Sequence, residues 1–365
     1  MTLVIMDPIC PKPYDPDTLA TEAMGGTEAT VVRVAEGLGD RVRVVVGQHN
    51  RKDTDAVQSK AAYVSAKNLS DFRDADAVVV MRDPRRLAAA RKNHPHARVF
   101  LWITDWLPPR LWPAWYQYPK EAVVRGAARY AMSRARATIL TVSATHEDNV
   151  RGFLRPGFVE RLLRRDPLPI TFIYPPVMDD LVPDATSWDN DKLVYFSRPD
   201  RRFDQVLTAF AFVRKRLPSL RLVVGNPGYM ERAMPEVENV EILGALPHGE
   251  IIRHVRTSLC AFYPNTVVPE AFGLVFAESN AIGTPVLTHC MGAAPEILSD
   301  EQFVDARDLE QVAERIIDWH NGGRANVRLD PKFRLSAVLK EWEALLQQWN
   351  PPQPVSYTHL RAHET

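Results

Sequence analysis

The apolar positions of this chain fall into short runs separated by helical patterns, and the two kinds alternate. Residues 3–6, 42–47, 77–81, 99–103 and 138–142 are continuous, β-branched apolar runs of strand length, the pattern of strands covered on both faces. Between them, residues 28–38, 84–93, 121–134 and 144–153 read as helices. Such alternation predicts a parallel sheet with crossover helices. After a strand at 170–173 comes Pro175-Pro176, then a polar stretch through Asp191 that reads as a linker. The rhythm then restarts, with strands at 193–197, 220–224, 240–243 and 259–262 and helices at 204–217 and near 250–256. The chain therefore reads as α/β with two doubly wound units. A ligand crevice is expected at the C-terminal ends of their strands.

The most informative stretch is residues 264–285, PNTVVPEAFGLVFAESNAIGTP. Leu274, Val275, Phe276, Ala277, Ala281 and Ile282 read as a largely buried helix closed by Gly283-Thr284-Pro285. Glu270 precedes that helix and Glu278 lies inside it. Eight residues of helix would set the two carboxylates roughly 12 Å apart. That exceeds the spacing of about 5–9.5 Å in two-carboxylate hydrolases. It suits contacts at opposite ends of one extended, polyhydroxylated ligand. Backbone N–H groups of Ala271, Phe272 and Gly273 are expected to open the helix and face an anion. Hydroxyls at both ends and a phosphate between them describe a nucleotide sugar.

This stretch resembles the signature of the family 4 retaining glycosyltransferases: a Glu, an aromatic-Gly pair, a second Glu after seven residues, then Gly-x-Pro-Val. Here it reads Glu270-Ala271-Phe272-Gly273, Glu278 and Gly283-Thr284-Pro285-Val286. The resemblance implies the GT-B architecture, two Rossmann-like domains with an interdomain cleft. Residues 1–178 would then be the acceptor-side domain and 179–325 the nucleotide-sugar-binding domain. A C-terminal helix, within 326–350, would return to the first domain. In this family Glu270 would hold hydroxyls of the transferred sugar and Glu278 the ribose. Arg198, after a strand, matches a conserved-type arginine that reaches the donor's diphosphate, and Arg201 best fills the second basic place, with Arg202 competing for it. Gly25-Gly26 matches the glycine pair at which bare backbone approaches the donor; the competing reading is a helix start capped by Thr27. Where many members have His-Asp, this chain has Thr104-Asp105, so Asp105 carries over as a catalytic-site residue while Thr104 cannot carry a proton at neutral pH. His49, at the end of another strand, is a candidate substitute. The family implies a nucleotide-diphosphate sugar (UDP- or GDP-linked) as donor, no metal and no cofactor.

Composition changes this picture little. The 365 residues carry 45 basic and 45 acidic side chains, so no global field selects a partner. Cys10, Cys260 and Cys290 are widely spaced and read as buried thiols with no zinc site. Neither a secretory h-region nor a spanning apolar run is read in the sequence, so a cytoplasmic location, or one at the inner membrane face, is the expectation. Locally the charge is uneven. Residues 125–165 hold nine arginines against Glu147, Asp148 and Glu160, next to a loop containing Trp102, Trp106, Trp112, Trp115, Tyr116 and Tyr118. Beside the plain reading of a solvated face and a packed loop, these suit an anionic or stacking acceptor. A glycan or lipid-linked acceptor, with peripheral contact to an anionic membrane, is the first expectation. Modified DNA bases are the alternative acceptor, and a non-catalytic nucleotide-sugar-binding protein is the alternative class. The tail, residues 351–365, follows a proline-rich break, resembles translated vector read-through and is left out of the fold as non-native and disordered.

Overall fold

The computed structural model describes residues 1–107, 119–155, 168–197, 203–226 and 237–347. Two sheets organise them. The first has eight strands in the order β3-β4-β2-β1-β5-β6-β7-β8: β1 Thr2–Asp7, β2 Arg43–Gln48, β3 Val57–Gln58, β4 Ala62–Ser65, β5 Ala77–Met81, β6 Arg98–Trp102, β7 Thr138–Thr141 and β8 Ile170–Phe172. All its pairings are parallel except that of β3 with β4. The second has five parallel strands in the order β11-β10-β9-β12-β13: β9 Asp189–Phe196, β10 Arg221–Asn226, β11 Val240–Ala245, β12 Ser258–Tyr263 and β13 Val286–Thr288. The helices between them are α1 Pro16–Thr21, α2 Gly26–Leu38, α3 Leu87–Asn93, α4 Pro119–Ala135, α5 Ala144–Phe153, α6 Phe203–Arg214, α7 His248–Arg256, α8 Leu274–Ala281, α9 Ala294–Ile297, α10 Leu309–Asp318 and α11 Leu335–Gln347.

Burial explains the continuous apolar runs. In β1, Leu3 and Ile5 belong to one core cluster and Val4 to another, as the two-residue period of a strand requires when helices cover both faces. The pairs β3–β4 and the short α1 escaped the pattern because two to six residues carry no readable period. The amphipathic α10 went unassigned as well. The sheet order reverses beside β1 in the first domain and beside β9 in the second, and a crevice opens at such switch points.

The last helix packs against the first sheet's layer, far from its neighbours in sequence. Trp342 of α11 meets Trp102 of β6 edge-on, with ring centroids 5.0 Å apart, and Arg41 pairs with Glu343. Gly37 of α2 permits the approach: a Cβ there would stand 2.6 Å from Leu339. Trp102 is thus a core residue. Cys10 and Cys260 are buried, but Cys290 is exposed, contrary to the expectation of three buried thiols: it ends a strand-to-turn segment on the surface.

Candidate donor and acceptor cleft

The two domains face each other across a cleft of ≈ 520 Å³. Two loops and one helix start of the first domain form one wall: Gly25, Gly26 and Thr27 at the start of α2, Arg82 after β5, and Thr104, Asp105 and Trp106 after β6. The second domain supplies Phe196 and Ser197 at the end of β9, His248 at the start of α7, and the segment from Val268 to Val275 with Glu278.

Gly273 governs the second wall. Its φ of +90° is one that side chains rarely adopt, and this turn ends the loop and starts α8 at Leu274. The first helical amides are therefore those of Leu274 and Val275, three residues later than the sequence suggested, with Ala271, Phe272 and Gly273 forming the loop that leads in. No side chain caps this helix. Its first turn opens on the cleft, where unsatisfied N–H groups and the helix dipole favour an anion. Gly26 stands opposite, and Leu274 is the nearest group to the space above its Cα. The loop before α8 is held by Gly292, whose φ is +59° and whose missing side chain lets the backbone of Glu270 come close, with Ala293 N–H donating to Glu270 O at 3.0 Å.

Glu278 is buried and doubly bonded. Its Oε1 forms an ion pair with Arg33 Nη2 and a hydrogen bond with His248 Nε2, each at 2.8 Å, and Arg33 Nη2 also lies 3.1 Å from His248 Nε2. Burial alone would raise the pKa of this carboxyl, but the charges and hydrogen bonds of His248 and Arg33 outweigh it and hold the group at about 2. Arg33 lies in α2, on the opposite domain, and its Nη1 donates to Pro176 O at 3.0 Å.

The first wall carries a second charged group. Arg82 Nη2 donates to Asp7 Oδ1 at 3.2 Å and to Glu28 Oε1 at 3.2 Å, while Tyr14 O–H donates to Asp7 Oδ2 at 3.0 Å. Arg82 has a φ of +58°, a strained value for a non-glycine residue that places its side chain at the switch point beside β1. Burial raises the pKa of Glu28, with Arg82 opposing. Thr27 does not cap α2: its N-cap is Gly25, and Thr27 Oγ1 donates instead to Thr104 Oγ1 at 3.3 Å. His49 does not line the cleft. The imidazole beside Asp105 is that of His146, which contacts the Asp105 carbonyl at 3.0 Å and stacks on Trp106. Burial lowers its pKa to about 4, so it stays neutral at physiological pH.

The domains also touch beside the cleft. Ser143 Oγ donates to Ala271 O at 2.6 Å, and the first amides of α5, at Ala144 and Thr145, donate to the carboxylate of Glu296 at 3.1 and 2.7 Å. A carboxylate from one domain therefore caps a helix of the other.

Residues 189–334 match the family described as glycosyl transferases group 1. The α,α-trehalose-phosphate synthase (UDP-forming) of Burkholderia xenovorans superimposes with a TM-score of 0.62 at 11% identity, over 95% of this chain and 100% of that one. The fold is GT-B. Two curated relatives are similar to parts of the chain. Alpha-monoglucosyldiacylglycerol synthase of Streptococcus pneumoniae is 30% identical over 109 residues, 28% of this chain and 25% of that protein. A GDP-mannose-dependent alpha-(1-6)-phosphatidylinositol monomannoside mannosyltransferase of Mycobacterium tuberculosis is 25% identical over 167 residues, 42% of each. The matched segments thus span between a quarter and about two-fifths of these relatives' own length.

Within this GT-B cleft the structure brings together Gly25, Gly26, Asp105, Glu270, Ala271, Phe272, Gly273 and Glu278. Arg198, Arg201 and Arg202 lie outside the described residues, as do Trp112, Trp115, Tyr116, Tyr118, Arg161, Arg164 and Arg165. Of the arginine-rich stretch, Arg129 is buried and bonded to Leu154 O, Arg151 pairs with Glu147, and none of the described arginines between 125 and 155 lines the cleft. Arg33, Arg82 and His248 were not singled out from sequence. Arg33 sits among valines and alanines in α2, where a charge at a core-facing position is the signal that could have found it. Among the described residues no three His, Cys, Asp or Glu side chains converge to hold a metal ion, and no helix is long and apolar enough to cross a membrane.

Proposed function

We propose that this protein is a retaining, metal-independent glycosyltransferase that moves a sugar from a nucleotide-diphosphate sugar to a hydroxyl of a glycan or lipid-linked acceptor. One observation carries the reading: an uncapped helix N-terminus opens into the interdomain cleft opposite Gly26, with Glu270 on one side and Glu278 on the other. The diphosphate would lie on the amides of Leu274 and Val275, with Arg198 and Arg201 completing its charge balance. Glu270 would hold the transferred sugar and Glu278 the ribose. The bond from the anomeric carbon to the diphosphate oxygen breaks and the bond to the acceptor oxygen forms on the same face, and the acceptor's proton passes to the departing phosphate oxygen. His146, a weak base with its pKa lowered to about 4 and outside the cleft lining, and the hydroxyl of Thr104 support a route that needs no side-chain base at that point. Positioning and charge stabilisation would then supply the rate.

The names of the two curated relatives, a monoglucosyldiacylglycerol synthase and a phosphatidylinositol monomannoside mannosyltransferase, support a lipid-linked acceptor, and the second name supports a GDP-linked donor. A modified DNA base is the alternative acceptor, and Trp106, which lines the cleft, is the contact that would serve it. A thermal-shift screen of UDP-, GDP-, ADP- and TDP-sugars with a chelator present tests the proposal. Stabilisation by one nucleotide class, followed by transfer or slow donor hydrolysis, is the expected result. No shift with any of them, or a requirement for divalent metal, would overturn it.

A further inference from the structure

The carboxylate of Glu278 is divided between two uses. Arg33 and His248 converge on one oxygen, Oε1, each at 2.8 Å. The guanidinium can only donate. A 2.8 Å contact to a carboxylate asks His248 Nε2 for a proton, so His248 donates to Oε1, while the Arg33 guanidinium, 3.1 Å from that Nε2, pairs with the same oxygen through its charge. Oε1 is then engaged by both groups. Oε2 accepts no hydrogen bond from the described residues, yet it is not among the buried polar atoms sealed from solvent. It is the oxygen left for a ligand in the cleft that Glu278 lines.

The two donors come from different bodies. His248 begins α7 of the second domain, so it moves with Glu278. Arg33 belongs to α2 of the first domain, is 4% exposed, and is tied by Nη1 to Pro176 O at the crossing between domains. Its Nε is buried without a partner. A guanidinium left in that state forgoes part of its hydrogen bonding, which a residue serving stability alone would gain nothing from.

We propose that Arg33 and His248 are positioning residues for Glu278: they occupy Oε1 and hold Oε2 toward a ribose hydroxyl of the donor nucleotide. Because Arg33 crosses from the acceptor domain, its share of that hold exists only when the domains are together, so ribose recognition is coupled to closure. This rests on the donor-site reading above. The test compares binding of UDP and GDP with their 2′,3′-dideoxy forms in the wild type, Arg33→Gln and His248→Gln. In the wild type, loss of the ribose hydroxyls should weaken binding roughly tenfold to a hundredfold. In both variants the ribose nucleotide should weaken toward the dideoxy value, and the penalty for removing the hydroxyls should fall below about threefold. Thermal melts report folding, and His248, a quarter exposed at its side chain, keeps the test open should Arg33→Gln unfold. An unchanged dideoxy penalty in the folded variants overturns the proposal, as does tighter ribose-nucleotide binding by Arg33→Gln, which would make Arg33 a competitor for the site. Failure of the wild type to bind any nucleoside diphosphate would instead overturn the donor-site reading itself, and this proposal with it.

Discussion

Leu274 of the second domain stands 3.6 Å from the point where Gly26 of the first would carry a Cβ, so the start of one domain's helix meets the start of the other's across the cleft. That distance is ordinary van der Waals contact, and Gly26 has no positive φ. Gly26→Ala should therefore fold normally, with stability changed by no more than about 1 kcal/mol. If the gap belongs to the donor, the same methyl group should raise the Kd for the nucleoside diphosphate at least tenfold. Calorimetry and a thermal melt on one sample separate the two effects, and unchanged affinity removes Gly26 from the binding surface.

Gly292 should behave in the opposite way. Its φ is +59°, and a Cβ would lie 2.6 Å from Glu270 O and 2.9 Å from Glu270 N, both backbone atoms that cannot swing aside. Gly292→Ala should cost about 1–3 kcal/mol of stability and displace the loop that carries Glu270. Turnover should drop more than nucleotide affinity, because Glu278 is anchored elsewhere. A stable variant with wild-type turnover would show that the loop's position is immaterial.

His146 gives a pH dependence with a defined sign. Its folded pKa of about 4 lies below the ordinary 6.5, so the unfolded chain binds the proton more readily. The stability this contributes is complete above about pH 6.5 and is lost as pH falls toward 4. The full change is about 3 kcal/mol on the usual conversion. Denaturant unfolding at pH 7 and pH 4.5 should show this loss in the wild type and a smaller one in His146→Gln. Equal slopes would mean that His146 charges freely in the folded state.

Trp106 lines the cleft from the first domain and stacks on His146, with ring centroids 6.1 Å apart. Trp106→Ala should raise the KM for a sugar-bearing acceptor, by an amount equivalent to about 0.5–1.5 kcal/mol if a ring packs on the indole. The donor KM should hardly move. Conversion of Arg134, Arg136 and Arg155, all exposed and outside the cleft lining, to Gln should leave catalysis on a small soluble acceptor intact, and a loss there would place the acceptor along that face.

The sequence by itself determined the alternation of strands and helices, the restart after Pro175-Pro176, and the spacing of Glu270, Gly273 and Glu278 along one segment. These are local matters: a strand buried on both faces must be apolar throughout, and a helix start needs a particular residue such as Gly273 where φ turns positive. What Glu278 faces was a tertiary matter. Arg33 is 245 positions away in sequence, within a helix that reads as plain core, and no period or motif reports that it crosses the cleft. The same holds for Arg82, whose partners Asp7 and Glu28 lie in other elements, and for α11, which returns to the first domain through Trp102 and Trp342. Charge pairing and close packing between distant segments depend on where the chain brings them in space. Sequence spacing carries no record of that, so only the fold could decide which oxygen of Glu278 remains open.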